Sequence, residues 1–157
     1  MSDSPADIVV RQRAARVLAS AGTARLAALW AAWPDAPSAE YLRGPESGHV
    51  MVQGRIGGAG DRFNLGEATV VRATVLLRGG ALADETVGTS YVLGSDPEHA
   101  GLAAIFDALL ADAGQRDAVI DRVVDPLERE QAARDAAAGA EARSTVVDFL
   151  TVTREHL

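Results

Sequence analysis

The sequence predicts an α+β fold, with a central antiparallel sheet against which an N-terminal helical hairpin and C-terminal helices pack. Three observations lead to this prediction. Apolar residues recur at helical spacing before residue 34 and again after residue 96. Between these regions lie segments rich in β-branched residues, which are typical of strands. Short glycine-containing loops connect these segments, so a meander is expected.

The N-terminal region is predicted to form two helices. The first spans about residues 7–21 and ends at Gly22, and Thr23 is placed to cap the second. Pro34 ends the second helix. A short extended stretch over residues 40–43 follows, with a turn at Gly44-Pro45. The apolar residues of the second helix at helical spacing are Leu26, Leu29, Trp30 and Trp33.

The centre of the chain is predicted to supply the sheet. Residues 50–56 alternate like a strand, residues 57–66 form a loop, and residues 68–77 form a long strand. Gly79-Gly80 turns the chain into a third strand over residues 86–93.

Helices return at Asp96, which is placed to cap a helix whose first position is Pro97. A shorter helix is expected over residues 117–124. Asp125-Pro126, with Glu128 placed for a capping box, predicts the start of an alanine-rich helix that reaches about residue 143. A last strand over residues 145–152 is expected to join the sheet. One face of the first helix carries Leu102, Ile105, Phe106, Leu109 and Leu110.

The composition excludes several classes of chemistry. The 157 residues fit a single domain, 1–157. Cysteine is absent, which rules out thiolate nucleophiles, cysteine-ligated zinc and iron–sulfur clusters. Lysine is also absent, and all 15 basic residues are arginine. A phosphate loop of the P-loop type and a lysine Schiff base are therefore excluded.

The charge is unevenly distributed. The net charge is −7, which disfavours a nucleic-acid-binding surface. Residues 50–78 carry four arginines against two acids, whereas residues 96–135 carry ten acids against four arginines. The acidic part is typical of solvated helices, and the central segment is a candidate contact for an anion or an acidic partner. No signal-peptide pattern or membrane-spanning run is present, so a cytoplasmic protein that does not contact a membrane is expected.

The glycine-rich loop between the first two predicted strands is the first candidate site. Glycine backbone N–H groups could face an anion there while nearby arginines add bidentate charge. The loop lies between two strands, so it is not a dinucleotide fingerprint, and a plain hairpin loop or bulge explains its local pattern better than an anion site does. The candidate residues are Arg55, Gly57, Gly58, Gly60 and Arg62.

The first turn of the helix after Asp96 is the second candidate site. Asp96, Glu98 and His99 lie together there, and such a trio could serve acid–base chemistry or a metal. No further ligand pair stands at a characteristic spacing, so capping and packing are the simpler interpretation. No catalytic or metal-ligating residue is assigned from these patterns.

The central segment carries an ordered motif, Glu46-x-Gly48 followed by Val50-x-Val52-Gln53-Gly54-Arg55-Ile56-Gly57-Gly58-x-Gly60-x-x-Phe63-Asn64-x-Gly66-Glu67-Ala68-Thr69-Val70-x-Arg72-Ala73. This motif resembles that of the PhnG family. The resemblance continues through Tyr91-Val92-x-Gly94-x-Asp96-x-x-His99-Ala100 and ends with Val147-Asp148-Phe149-x-Thr151, so that it spans nearly the whole chain.

The resemblance implies a subunit of the carbon–phosphorus lyase core complex, in which the partners are proteins of the PhnH, PhnI and PhnJ type. With PhnI, PhnH and PhnL, such a subunit supports transfer of methylphosphonate to C1′ of the ribose of ATP, and adenine leaves. The resemblance implies ATP as a substrate of the complex, no cofactor bound by this chain alone, and an assembly role rather than the catalytic centre. The residues expected to contact substrate or partners are Arg55, Gly57, Gly58, Gly60, Arg62, Arg72, Asp96 and His99.

Two other interpretations remain open. In one, the chain is an independent enzyme or binding protein for a phosphorylated small molecule, with Arg55, Arg62 and Arg72 holding phosphate and His99 acting as acid or base. In the other, the chain is a scaffold module without catalytic residues. An exposed apolar sheet or helix face would favour the scaffold over the free enzyme.

Overall fold

The computed structural model describes residues 5–144 and confirms the α+β prediction. The strands are β1 (Ser38–Arg55), β2 (Arg62–Arg78) and β3 (Thr86–Leu93). They form an antiparallel sheet in the order β1–β2–β3, which confirms the predicted meander. The helices are α1 (Pro5–Ala19), α2 (Thr23–Ala31), α3 (Pro97–Ala111), α4 (Ala113–Val119) and α5 (Asp125–Ser144).

The N-terminal helical hairpin forms as predicted, but its second helix is capped differently. Gly22 is the N-cap of α2, and no side chain caps this end. Thr23 lies inside the helix, and its hydroxyl donates to Asp96 Oδ2 at 2.6 Å. The prediction of a Thr23 cap was therefore wrong, because this hydroxyl joins α2 to the start of α3.

β1 is a single long strand, whereas a short extended stretch and a turn were predicted. Residues 38–55 pair with β2 along their length, and the register shifts between Tyr41 and Arg43 and between Arg43 and Glu46. Gly44-Pro45 therefore lies in an irregularity of the strand and not in a turn. Pro45 is tolerated because β1 is an edge strand, where a missing N–H donor interrupts no necessary ladder.

The loop between β1 and β2 is shorter than predicted. Residues 56–58 form one 3₁₀ turn, and β2 already begins at Arg62. The turn at Gly79-Gly80 is confirmed, and both glycines have positive φ, 72° and 60°. β3 has the predicted bounds, residues 86–93.

The core lies between one face of the sheet and α3. Residues 99–110 of α3 are all buried. Val71, Ala73, Val75 and Leu77 alternate along β2 and form the buried face of that strand. Both tryptophans, Trp30 and Trp33, meet the ring of Phe106 edge-on, with centroids 6.3 Å and 6.0 Å away.

The shorter helix that precedes Asp125 begins earlier than predicted. Asp112 caps α4 by accepting from the N–H groups of Gly114 and Gln115, so the helix starts before residue 117. A π-helical turn over residues 120–124 then leads directly into α5.

α5 begins at the predicted residue, Asp125, but not through the predicted capping box. Asp125 has helical backbone angles, so α5 continues from the π-helical turn. The Asp125 and Glu128 carboxylates instead contact Arg13 of α1. The predicted strand over residues 145–152 lies outside the described residues, and the single domain 1–157 stays a prediction.

Candidate functional site

The glycine-rich segment lies at the end of a two-stranded projection of the sheet. β3 pairs with β2 only as far as Val70, opposite Leu93. Beyond that point β1 and β2 continue alone as a hairpin, here called the arm, which comprises residues 49–69. The segment predicted to contact substrate or partners therefore extends away from the three-stranded sheet.

The loop at the end of the arm is built as a compact hairpin connection. Gly57 has φ of 58°, which favours glycine at this position. The N–H groups of Ala59 and Gly60 both donate to the Ile56 carbonyl, and the Ile56 N–H donates to Asp61 O at 3.4 Å. Because these donors bond within the loop, the geometry fits the hairpin interpretation better than an open cradle of N–H groups for phosphate.

Arg55 and Arg62 face each other directly across the arm. Both side chains are exposed, and Arg55 Nη1 donates to the Gly60 carbonyl at 3.2 Å. None of the ion pairs in residues 5–144 includes either arginine. Two like charges in opposite positions of an antiparallel pair destabilise it, so this end of the arm favours an external anion.

Arg72 lies at the base of the arm and already has an acidic partner. Its Nη2 is 2.8 Å from Glu46 Oε2. The hydrogen bond from Arg72 lowers the pKa of Glu46, and the same contact, followed by one with Tyr91, raises the pKa of Arg72. A shallow pocket of about 230 Å³ surrounds the pair, and His49 also lines it. Arg72 is thus neutralised here, in contrast to Arg55 and Arg62.

Asp96 and His99 join helices. Asp96 Oδ1 accepts from the His99 backbone N–H at 3.1 Å, and its Oδ2 accepts from Thr23. The Thr23 hydroxyl, and then the His99 N–H, lower the pKa of Asp96. The His99 ring is buried, and its Nε2 lies 2.9 Å from the Leu18 carbonyl, which makes Nε2 the donor. This geometry supports the interpretation as capping and packing.

The structure does not gather the candidate residues into one site. Along β2, Arg62 is ten residues from Arg72, which corresponds to roughly 33 Å of strand. Asp96 and His99 belong to the helical layer. Within residues 5–144, no group of three or more histidine, aspartate or glutamate side chains is arranged to hold a metal ion. No helix in the same range is long and apolar enough to cross a bilayer.

Two features of the structure were missed by the sequence reasoning. One is Asp107, a buried acid within the apolar run of α3, which pairs with Arg11 and accepts from the Thr89 N–H. An acid inside so apolar a helix is itself a signal of a specific buried contact. The other is the row of exposed apolar side chains on the arm, at Val50, Val52, Phe63 and Leu65. The sequence predicts a strand for Val50 and Val52 but a loop for Phe63 and Leu65, so local pattern does not reveal the shared row.

Comparison with known proteins gives the family. The family model described as phosphonate metabolism protein PhnG matches residues 9–155. A relative from Rhizobium meliloti (strain 1021), alpha-D-ribose 1-methylphosphonate 5-triphosphate synthase subunit PhnG, is 44% identical over 149 residues. The alignment covers 95% of this chain and 92% of that relative. The chain therefore belongs to the PhnG family of phosphonate metabolism proteins.

Proposed function

We propose that this protein is a subunit of an alpha-D-ribose 1-methylphosphonate 5-triphosphate synthase. In this role it supports transfer of methylphosphonate to C1′ of the ribose of ATP with release of adenine. The observation that carries the proposal is the near full-length match to a relative that bears this name, at 44% identity. ATP is a substrate of the whole complex, and this chain alone binds no cofactor.

An assembly role fits the side chains better than a catalytic one. Arg72 is paired with Glu46, and Asp96 and His99 hold helices together. Arg55 and Arg62 remain exposed at the end of the arm, about 33 Å of strand from Arg72. A triphosphate held by all three arginines would require them to converge, which this distance opposes. We therefore place the reacting groups in other subunits.

The partners in this proposal are proteins of the PhnH, PhnI and PhnJ type, together with PhnL during the transfer. The complex would work in the cytoplasm. The residues proposed to contact partners are the arm residues Arg55, Gly57, Gly58, Gly60 and Arg62. Arg72 instead pairs with Glu46 at the base of the arm, and Asp96 and His99 join helices.

Co-expression tests the proposal. The chain is produced with an affinity tag together with the other three core subunits, and a tagged unrelated protein is the control. We expect the four chains to purify together at fixed stoichiometry, and synthase turnover to require this chain. A stable isolated chain that never purifies with the other subunits contradicts the proposal. Turnover of ATP by the pure chain, lost in Arg55→Ala or His99→Ala, would establish the free enzyme instead.

A further inference from the structure

The arm cannot derive its stability from the core. It extends beyond the last pairing of β2 with β3, between Val70 and Leu93. Apart from the Gly94 N–H, which donates to Thr69 O at the base of the arm, its two strands therefore pair with each other alone. A two-stranded hairpin without a third strand or a helix packed on it is marginally stable in water. A surface that covers the arm would therefore stabilise it.

One face of the arm is apolar and points away from the helices. Ser47 is opposite Val71, whose side chain is buried, so residues 47, 49 and 51 lie on the helical side of β1. Val50 and Val52 then lie on the opposite side and are 42% and 37% exposed. This side of the arm faces away from the core.

Gly54 extends the same face towards the end of the arm. It is opposite Phe63, and a Cβ at Gly54 would lie 2.8 Å from Leu65 Cδ1 and 3.5 Å from Phe63 Cε1. The missing side chain thus leaves room for Leu65 and Phe63 to lie over the backbone. Together with Val50 and Val52 they form a continuous row of exposed apolar side chains, here called the arm strip. Such a row, with charge at its end, is typical of a protein-binding surface.

The charges at the end of the arm indicate what kind of surface would cover it. The three other arginines of the sheet, at positions 43, 72 and 78, have glutamate partners. Arg55 and Arg62 are opposite each other and have no ion pair within residues 5–144. An acidic side chain beside them would relieve their repulsion and add charge-assisted hydrogen bonds.

We propose that the arm is the docking element of this subunit. Its strip of Val50, Val52, Phe63 and Leu65 packs on an apolar surface of another synthase subunit. Arg55 and Arg62 follow Gly54 and Phe63 on the other face of the arm, at its end, so an acidic side chain of that subunit pairs with them around this end. The inference rests on the proposed function, because it takes the partner from that complex.

Two double substitutions test the apolar and the ionic contributions of the arm to binding separately. Val52→Ser with Leu65→Ser removes apolar area from the strip, and Arg55→Glu with Arg62→Glu reverses the charge. Val87→Ser with Leu93→Ser is the matched control, because both side chains are exposed on β3, outside the arm. Affinity for the purified assembly of the other core subunits is measured by biolayer interferometry, and circular dichroism verifies folding.

We expect each arm variant to bind at least tenfold more weakly than the wild type, and the control to bind within about twofold of it. Added salt should weaken the wild type more than the charge-reversed variant, because exposed ion pairs are screened.

The outcomes distinguish the two proposals. If the wild-type chain does not bind the other subunits, the proposed function fails and the arm loses its partner. If the wild type binds and folded arm variants bind equally well, or the control loses as much affinity, the docking role of the arm alone is refuted. A dimer of the isolated chain that the arm substitutions abolish would assign the strip to a second copy and also refute the proposal.

Discussion

Gly88 of β3 lies against the backbone of α3 at Ala108, with no room for a side chain between them. A Cβ at position 88 would be 2.4 Å from the Ala108 nitrogen and 2.0 Å from the Ala104 carbonyl oxygen. The strand therefore approaches the helix as closely as it does because residue 88 is glycine. We predict that Gly88→Ala lowers the free energy of unfolding by about 3 kcal/mol, because the sheet and the helix must separate. Urea unfolding of the purified chain measures this.

Gly48→Ala is the matched control. Gly48 also lies in a strand, and no atom lies within 4 Å of the position of its Cβ. The control is expected to change the free energy of unfolding by no more than about 1 kcal/mol. Equal effects of the two substitutions would show that the approach of β3 to α3 carries no steric constraint.

Asp107 joins three elements through one carboxylate. It makes a two-point contact with Arg11 of α1, at 2.8 Å and 2.6 Å, and its Oδ2 accepts from the Thr89 N–H of β3 at 2.8 Å. We predict that Asp107→Ala lowers the free energy of unfolding by about 2–3 kcal/mol, mainly because the Thr89 N–H loses its acceptor. The Arg11 side chain is partly solvated, so the loss of its contact with Asp107 adds little to the decrease in the free energy of unfolding.

Asp107→Asn separates these contributions, because the amide oxygen keeps an acceptor for Thr89 while the charge is lost. Unfolding by urea should show a smaller loss for Asn than for Ala. Equal losses would mean that the charge on Asp107, and not the acceptor for β3, carries the effect.

Acid is expected to destabilise the fold through three exposed carboxylates. Hydrogen bonds from Arg72, Thr23 and Arg13 lower the pKa of Glu46, Asp96 and Glu128 respectively. A carboxylate whose pKa is lower in the folded state contributes stability above its unfolded pKa, and this contribution is lost as the pH falls through the folded value. Stability should therefore be level near neutral pH and fall below about pH 5.

The Arg13→Gln variant tests how much Glu128 contributes to this loss of stability at acidic pH. It removes the hydrogen bonds that lower the pKa of Glu128, so its urea midpoint should fall less than that of the wild type between pH 7 and pH 4. A larger fall of the urea midpoint in the variant than in the wild type would contradict this contribution of Glu128.

The sequence was sufficient to predict the meander and the packing of helices on it, because period and turn chemistry act locally. β3 and the turn at Gly79-Gly80 were predicted at their observed positions. The capping prediction at Asp96 also held. Each of these depends on residues that are neighbours along the chain.

Contacts between segments that are distant in the chain explain why some predictions from the sequence were wrong. Thr23 donates to Asp96, and Glu128 contacts Arg13, in preference to the local caps predicted for both. The continuous pairing of β1 through Gly44-Pro45 depends on β2, which local turn propensity does not include. The glycine-rich segment with Arg55 and Arg62 was predicted as a candidate site from its residues alone. That Arg62 lies far from Arg72, and that both lie apart from His99, followed only from the fold.

His99 is expected to stabilise the fold and not to catalyse. Its buried ring donates from Nε2 to the Leu18 carbonyl and so joins the end of α1 to α3. We predict that His99→Ala lowers the free energy of unfolding by about 1–2 kcal/mol through the lost hydrogen bond. Turnover per assembled synthase complex should be unchanged below the unfolding temperature, with the same pH profile. A variant of wild-type stability that assembles but loses turnover and one limb of the pH profile would assign His99 an acid–base role.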